Sequence, residues 1–179
     1  MDVYGEIASA DGSMILSEDF DKKGGQRCTR VNDRQNQWYI KQDNDGNSIY
    51  CNTVTDDWVN FQFGNEDWSD YSISLRMKFP ASRAADKAET YFRVDRSFHG
   101  YRAGINNLGR STISFYKPYD LLARAMVPIK RNEWMRIQLI VSGCNIKYLV
   151  NSQVVANVTD DKRKNEWRAL EHLQILKPV

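Results

Sequence analysis

The sequence predicts an all-β protein, a two-sheet antiparallel β-sandwich with minimal helix. Three observations carry this. From Tyr71 to Phe79 the chain alternates strictly: Tyr71, Ile73, Leu75, Met77 and Phe79 fall on one face, and Ser72, Ser74, Arg76 and Lys78 on the other. That period of two is the signature of a strand buried on one side only. Similar short runs recur along most of the chain, separated by turn residues. Helical periodicity is scarce, and its best segment, Lys162–Leu170, would make a turn or two. Many short strands at regular spacing with almost no helix fold as two packed sheets.

Taken in order, strands are expected over Met14–Phe20, Gln37–Gln42, Ser48–Asn52, Val59–Phe63, Tyr71–Phe79, Thr90–Asp95, Tyr101–Asn106, Thr112–Lys117, Leu121–Val127, Trp134–Ser142, Ile146–Val150, Gln153–Val158 and Leu173–Lys177. Turn chemistry lies between them: Asp45-Gly46-Asn47, Leu108-Gly109, Ser142-Gly143 and Asn151-Ser152. Asn106 to Gly109, between two alternating runs, reads as a hairpin, and Asn151-Ser152 as a tighter one. Ala81–Ala88 reads as a loop, with a short helix as the alternative. Residues 1–13 read as an N-terminal tail and 14–179 as a single domain.

A chain of 179 residues can bury a real core as one domain. No apolar run approaches the ~20 residues that span a bilayer, so no membrane span is expected. The first twenty residues show no basic segment leading into an apolar one, and no signal peptide is visible. The 25 basic and 23 acidic residues are interspersed, and the densest basic run, Lys162-Arg163-Lys164, adjoins Asp160 and Asp161. A nucleic-acid binder concentrates its positive charge on one face, so no nucleic-acid partner is expected. The odd cysteine count (Cys28, Cys51, Cys144) argues against a dense disulfide framework. Cys28 and Cys51 either pair in an oxidising compartment or stay as thiols. His99 and His172 are not spaced for a zinc site.

An ordered series of motifs points to a family. It runs Glu18-Asp19-Phe20, Trp38, Asp45-Gly46-Asn47, FGNEDWSDYSISLRMKF (Phe63–Phe79), YFRV (Tyr91–Val94), GYRAGI (Gly100–Ile105), and finally NEWMRIQLIVSGCNIKYLVNSQVV (Asn132–Val155) with Asp160. The last piece is the most diagnostic: a Trp, an alternating strand, a Gly turn, a strand, Asn, and a hydrophobic strand. Together they resemble the concanavalin A-like (laminin G-like) jelly-roll domains attached to bacterial glycan-processing enzymes. The C-terminal stretch KRKNEWRALEHLQILKPV departs from that pattern by lacking a late glycine-rich strand. The resemblance implies a convex and a concave sheet, with glycans held on the concave face or its rim. It also implies, for some such domains, a structural calcium near the N-terminal strand. Asp19, Asp21 and Asp160 are the candidate oxygen donors.

Alternation in the middle strands supplies candidate ligand contacts. If Tyr91–Asp95, Tyr101–Asn106 and Thr112–Lys117 are neighbours, one surface carries Tyr91, Arg93, Asp95, Arg102, Asn106 and Tyr116. Tyr119 then stands at the rim. Aromatic rings cover the C–H face of a sugar, while Arg, Asn and Asp satisfy its hydroxyls. The alternative is an ordinary solvated sheet face, because scattered surface aromatics are normal. Trp68 and Trp134 read as plugs at the sandwich ends. Asp43 to Asn47 lacks calcium-loop spacing and reads as a hairpin turn.

Glycosidase chemistry needs two carboxylates across one cleft, and no ExDxxE strand occurs. HGYRAGINN (His99–Asn107) echoes the YFKAG strand of polysaccharide lyases of this fold, but companion RxEL and QIH motifs are absent. The expected function is therefore a non-catalytic carbohydrate-binding module for a polysaccharide or oligosaccharide. It would be monomeric, extracellular or periplasmic, tethered to a catalytic domain, and in need of no cofactor. The alternatives are a laminin G-like protein-interaction module, and a polysaccharide lyase or glycoside hydrolase of the same fold.

Overall fold

The computed structural model describes residues 2–9, 13–18, 29–31, 38–42, 44, 46, 48–52, 59–63, 68–79, 81, 87–94, 99–116, 118–161 and 170–176. Fifteen strands and no helix occur among them. They are β1 (Asp2–Ser9), β2 (Met14–Glu18), β3 (Thr29–Val31), β4 (Trp38–Gln42), β5 (Ser48–Asn52), β6 (Val59–Phe63), β7 (Tyr71–Lys78), β8 (Lys87–Val94), β9 (Gly100–Asn106), β10 (Arg110–Tyr116), β11 (Asp120–Met126), β12 (Met135–Ser142), β13 (Asn145–Val150), β14 (Gln153–Thr159) and β15 (Leu170–Leu176). Among the described residues no helix is long and apolar enough to cross a membrane.

Two antiparallel sheets form. One runs β14-β13-β12-β7-β1-β5-β4, with β2 also paired to β1, and the other runs β11-β10-β9-β8-β15-β6-β3. Each sheet gives one face to the shared core. From the first come Ile73, Leu75, Leu139, Val141 and Ile146, and from the second Phe92, Tyr101, Ile105, Ile113 and Phe115. Each such side chain contributes roughly 1.5–3 kcal/mol by leaving water. Phe92 stacks on Tyr101 at 5.4 Å, and Tyr101 meets Phe115 edge-on at 5.2 Å. Geometry of that kind adds ~0.5–1.5 kcal/mol per pair.

The all-β sandwich is as the sequence predicts, with four corrections. The segment expected as an N-terminal tail contains β1, a central strand registered against β7 over eight residue pairs, Asp2↔Lys78 to Ser9↔Tyr71. Its alternation is thin, since Gly5 and Ser9 share a parity with Val3 and Ile7, so pattern reading passes over it. β3 is three residues long and equally unreadable by period. β8 begins at Lys87, so the expected loop Ala81–Ala88 gives its last two residues to a strand. Trp134, expected as a plug, is half-buried with Lys78 Nζ 4.8 Å and the Arg76 guanidinium 5.5 Å from its ring centre. Trp68 does pack against the core, 6.3 Å from Tyr71.

The hairpins hold. Asn151 and Ser152 both take positive φ, 50° and 66°, the backbone of a two-residue turn whose twist matches its strands. Gly109 has φ of +80°, and a Cβ there would lie 1.9 Å from the Val127 carbonyl oxygen, so only glycine fits.

Candidate functional site

Strands β8, β9 and β10 lie side by side in unbroken register, and register decides which residues share a face. Ser114 stands opposite Arg102, and Thr112 opposite Gly104. Arg102 stands opposite Tyr91, Gly104 opposite Glu89, and Asn106 opposite Lys87. Tyr101, Ala103 and Ile105 alternate with them into the core. The outer face of this sheet therefore gathers Lys87, Glu89, Tyr91, Arg102, Ser114 and Tyr116.

Glu89 is the electrostatic centre, with its side chain fully shielded from solvent. Its Oε1 pairs with Lys87 Nζ, and lies 3.3 Å from Arg102 Nε. Its Oε2 accepts from Arg102 Nη1 and from the Tyr91 hydroxyl, each at 3.4 Å. A buried carboxylate is tolerated only when paired and hydrogen-bonded, and here two cations and a phenol do that. Gly104 makes the room: a Cβ at that position would come within 2.8 Å of Glu89 Cγ and 3.0 Å of the Ala88 carbonyl oxygen. A side chain there would displace the carboxylate.

Arg102 lies among three tyrosine rings. Its guanidinium carbon is 5.4 Å from the Tyr116 ring centre, 5.5 Å from Tyr119 and 6.0 Å from Tyr91, within the range of cation–π attraction. Its Nε also lies 3.3 Å from Ser114 Oγ. Tyr91 and Tyr116 meet edge to face at 5.5 Å. Tyr119 is 60 % exposed and forms the open side of the cluster.

Burial pushes the Tyr91 hydroxyl well above the usual phenol range, and the neighbouring Glu89 charge adds to it. For Arg102, burial works against the charge, but Glu89 and Tyr91 more than offset it and its pKa is raised. At neutral pH Tyr91 keeps its proton and Arg102 its charge. The cluster thus offers a phenol, a guanidinium with its apolar faces against aromatic rings, and an exposed tyrosine.

The structure brings together Tyr91, Arg102, Tyr116 and Tyr119 of the residues expected from sequence. Asn106 is on the same face, but its Oδ1 accepts from the backbone N–H groups of Leu108 and Arg110 at 3.1 and 2.9 Å, which shapes the turn. Arg93 is corrected outright. Alternation placed it beside Tyr91, yet its φ is +50° and its side chain is 1 % exposed. The β8–β15 register slips at this point, between Leu170 and His172, which makes a bulge that re-aims the residue. Its guanidinium crosses to the other sheet and donates to the Gly143 carbonyl at 2.7 Å and the Ser69 carbonyl at 2.6 Å, with Asp70 Oδ1 at 3.4 Å. Asp95, Asp19, Asp21 and Cys28 lie outside the described residues. Asp160 is buried and its backbone N–H donates to the Cys144 carbonyl. No metal-binding group of three or more His, Cys, Asp or Glu side chains occurs among the described residues.

Glu89 and Lys87 went unread in the sequence because the expected strand began at Thr90. Carrying the alternation back through Tyr91, Glu89 and Lys87 would have found them. That Glu89 is buried could not be read, because it depends on Gly104 from the next strand.

The fold is shared with proteins of very different sequence. A carbohydrate-binding module, CBM66 from Bacillus subtilis, superposes with a TM-score of 0.61 at 13% identity, covering 84% of this chain and 88% of that one. The Crh5 transglycosylase gives a TM-score of 0.53 at 8% identity, covering 96% and 68%. The family 7 alginate lyase A1-II' gives 0.52 at 11% identity, covering 97% and 85%. No curated protein sequence matches the chain. At such identities the likeness shows the fold, a concanavalin A-like jelly roll. The family match carries more. The 3-keto-alpha-glucoside-1,2-lyase-like domain matches over residues 10–175, nearly the whole length, and supports a carbohydrate-related function. The chain belongs to the 3-keto-alpha-glucoside-1,2-lyase-like domain family.

Proposed function

We propose that the outer face of the seven-stranded sheet recognises a saccharide without cleaving it, through Arg102 and the rings of Tyr91, Tyr116 and Tyr119. The observation that carries this reading is Arg102 held by Glu89 among three tyrosines, one of them open to solvent. Aromatic rings suit the C–H faces of a sugar, and a pre-oriented guanidinium suits a pair of hydroxyls. Pre-orientation lowers the entropy lost on binding. Tyr91 keeps its proton far above neutrality, which suits a hydrogen-bond donor and opposes a role as general base. The protein acts outside the cytoplasm as a monomeric module tethered to a glycan-processing enzyme, gaining retention from the tether.

A second reading, a lyase acting on a 3-keto glycoside, is favoured by the family's description. It requires a base to remove the proton next to the ketone, a task open to Glu89 only if substrate displaces Lys87 or Arg102. A glycan array with product assays on each hit separates the two readings. Binding without product, lost in Tyr119→Ala, supports recognition. Product formation that is lost in Glu89→Gln establishes the lyase. Binding that survives Tyr119→Ala and Arg102→Met puts the site elsewhere.

A further inference from the structure

The outer face that holds the tyrosine–arginine cluster continues past β10 to the edge strand β11. Ser114 stands opposite Leu121, and Thr112 opposite Arg124. With Ser114 opposite Arg102 and Thr112 opposite Gly104, two adjacent rows cross three strands, Arg102–Ser114–Leu121 and Gly104–Thr112–Arg124. Residues directly opposite one another share a face of the sheet, and Arg110, two residues before Thr112 on β10, falls on that face as well. Arg110 and Arg124 are both exposed. They are diagonal neighbours across β10 and β11, about 7–8 Å apart at the backbone. Neither side chain makes an ion pair or a hydrogen bond. Neither was singled out as a candidate from the sequence.

We infer that Arg110 and Arg124 hold an anionic substituent, a carboxylate or a sulfate, so that the ligand is an acidic saccharide of two or more sugars. This rests on the saccharide reading above. Charge divides the face in two. At the cluster, Glu89 already pairs with Lys87 and Arg102. A ligand group there meets a guanidinium whose charge is largely balanced, which suits hydroxyls. At Arg110 and Arg124 two guanidinium groups stand together without a paired carboxylate. Asp120, the acidic residue of β11, lies at the other end of that strand, opposite Phe115. Like charges this close repel. An anion between them removes the repulsion and can accept paired N–H groups from each planar fork. The spacing sets the length of the ligand. Arg124 lies two strands and one two-residue step from Arg102, about 12 Å, further than one sugar ring reaches. Between them the buried Ser114 and the short Thr112 leave a low path, flanked by Leu121 at 38% exposure. The ligand is thus stacked on rings at one end and held by its charge at the other.

The test is calorimetric titration with pairs matched in sugar and linkage: oligogalacturonates against their methyl esters, glucuronoxylan against xylan, and sulfated against unsulfated galactan. For the pair that binds, the acidic member should bind about tenfold tighter, the size of two exposed ion pairs. Whether a carboxylate or a sulfate pair shows this identifies the group. Salt at about 1 M, which screens charges beyond ~3 Å, should remove the difference. Arg110→Gln/Arg124→Gln should bring the acidic member down to the affinity of the neutral one, in a chain that melts like the parent. Arg110→Lys/Arg124→Lys, which keeps the charge, should restore part of the preference. Equal affinity for both members of a pair, still dependent on Arg102, overturns this inference and leaves the saccharide reading standing. So does a preference for the acidic member that survives in the Gln variant. Acidic binding that survives Tyr119→Ala and Arg102→Met is charge attraction alone and overturns both. If no member of any pair binds, and no glycan of the array does, the saccharide reading falls and this inference with it.

Discussion

Replacing Glu89 by Gln is the most direct probe of the site. It keeps the shape and removes the charge on which Lys87, Arg102 and Tyr91 converge. Breaking one side of a buried ion pair costs about 3–5 kcal/mol, because the partner charge stays desolvated. Two features reduce that here. Lys87 is 36% exposed and can turn to water, and Arg102, 14% exposed, keeps Ser114 and its tyrosine rings. Against this, the new amide turns an N–H donor toward one of the cationic donors. The expected loss is about 2–3 kcal/mol. With a urea dependence of ~2 kcal/mol/M, the unfolding midpoint falls by roughly 1–1.5 M. A double-mutant cycle with Arg102→Met isolates the pair and should return a coupling of about 1–3 kcal/mol. Additive effects, or a loss under ~0.5 kcal/mol in Glu89→Gln, would refute the picture of a buried carboxylate organising the site.

Three further outcomes follow from the same geometry. Gly104→Ala places a methyl against Glu89 Cγ, and should cost ~1–3 kcal/mol by overpacking and weaken saccharide binding, read by urea unfolding and titration; unchanged affinity would show that Glu89 need not sit where it does. Arg93→Met strips the Ser69 and Gly143 carbonyls of their donor and should cost about 2–4 kcal/mol, yet leave saccharide affinity intact well below the melting point, because the guanidinium lies away from the outer face. Burial, with Glu89 adding to it, raises both Tyr91 and Tyr148; a raised folded pKa contributes stability that is full below the unfolded phenol value of ~10 and is lost as pH rises through the folded values. Tyrosinate absorbance should therefore show these two of the nine tyrosines ionising only as the chain unfolds in alkali, and all nine titrating together near pH 10 in a folded chain would disprove it.

Much of the architecture was legible because period-two alternation is a local property. β7 and β12 bury every second residue, and the turns at Gly46, Gly109 and Asn151-Ser152 carry the positive φ that their residue types foretell. Tyr91, Arg102 and Tyr116 were found by the same alternation, and Tyr119 by its place beside a turn. Alternation failed at Arg93, where a bulge opposite the C-terminal strand inverts the side chain, and at β1, whose glycine and polar residues blur the pattern.

The sequence by itself determined the fold class, the strand faces and the type of chemistry available, because each depends on neighbours a few residues apart. Only the tertiary structure decided that Glu89 is buried, that Gly104 makes room for it, and that Arg93 serves the sandwich rather than its surface. It alone set β15 between β8 and β6, bringing His172 opposite Tyr91. These facts rest on pairings between strands distant in the chain, and the energies that select such pairings belong to the whole core, not to any one segment.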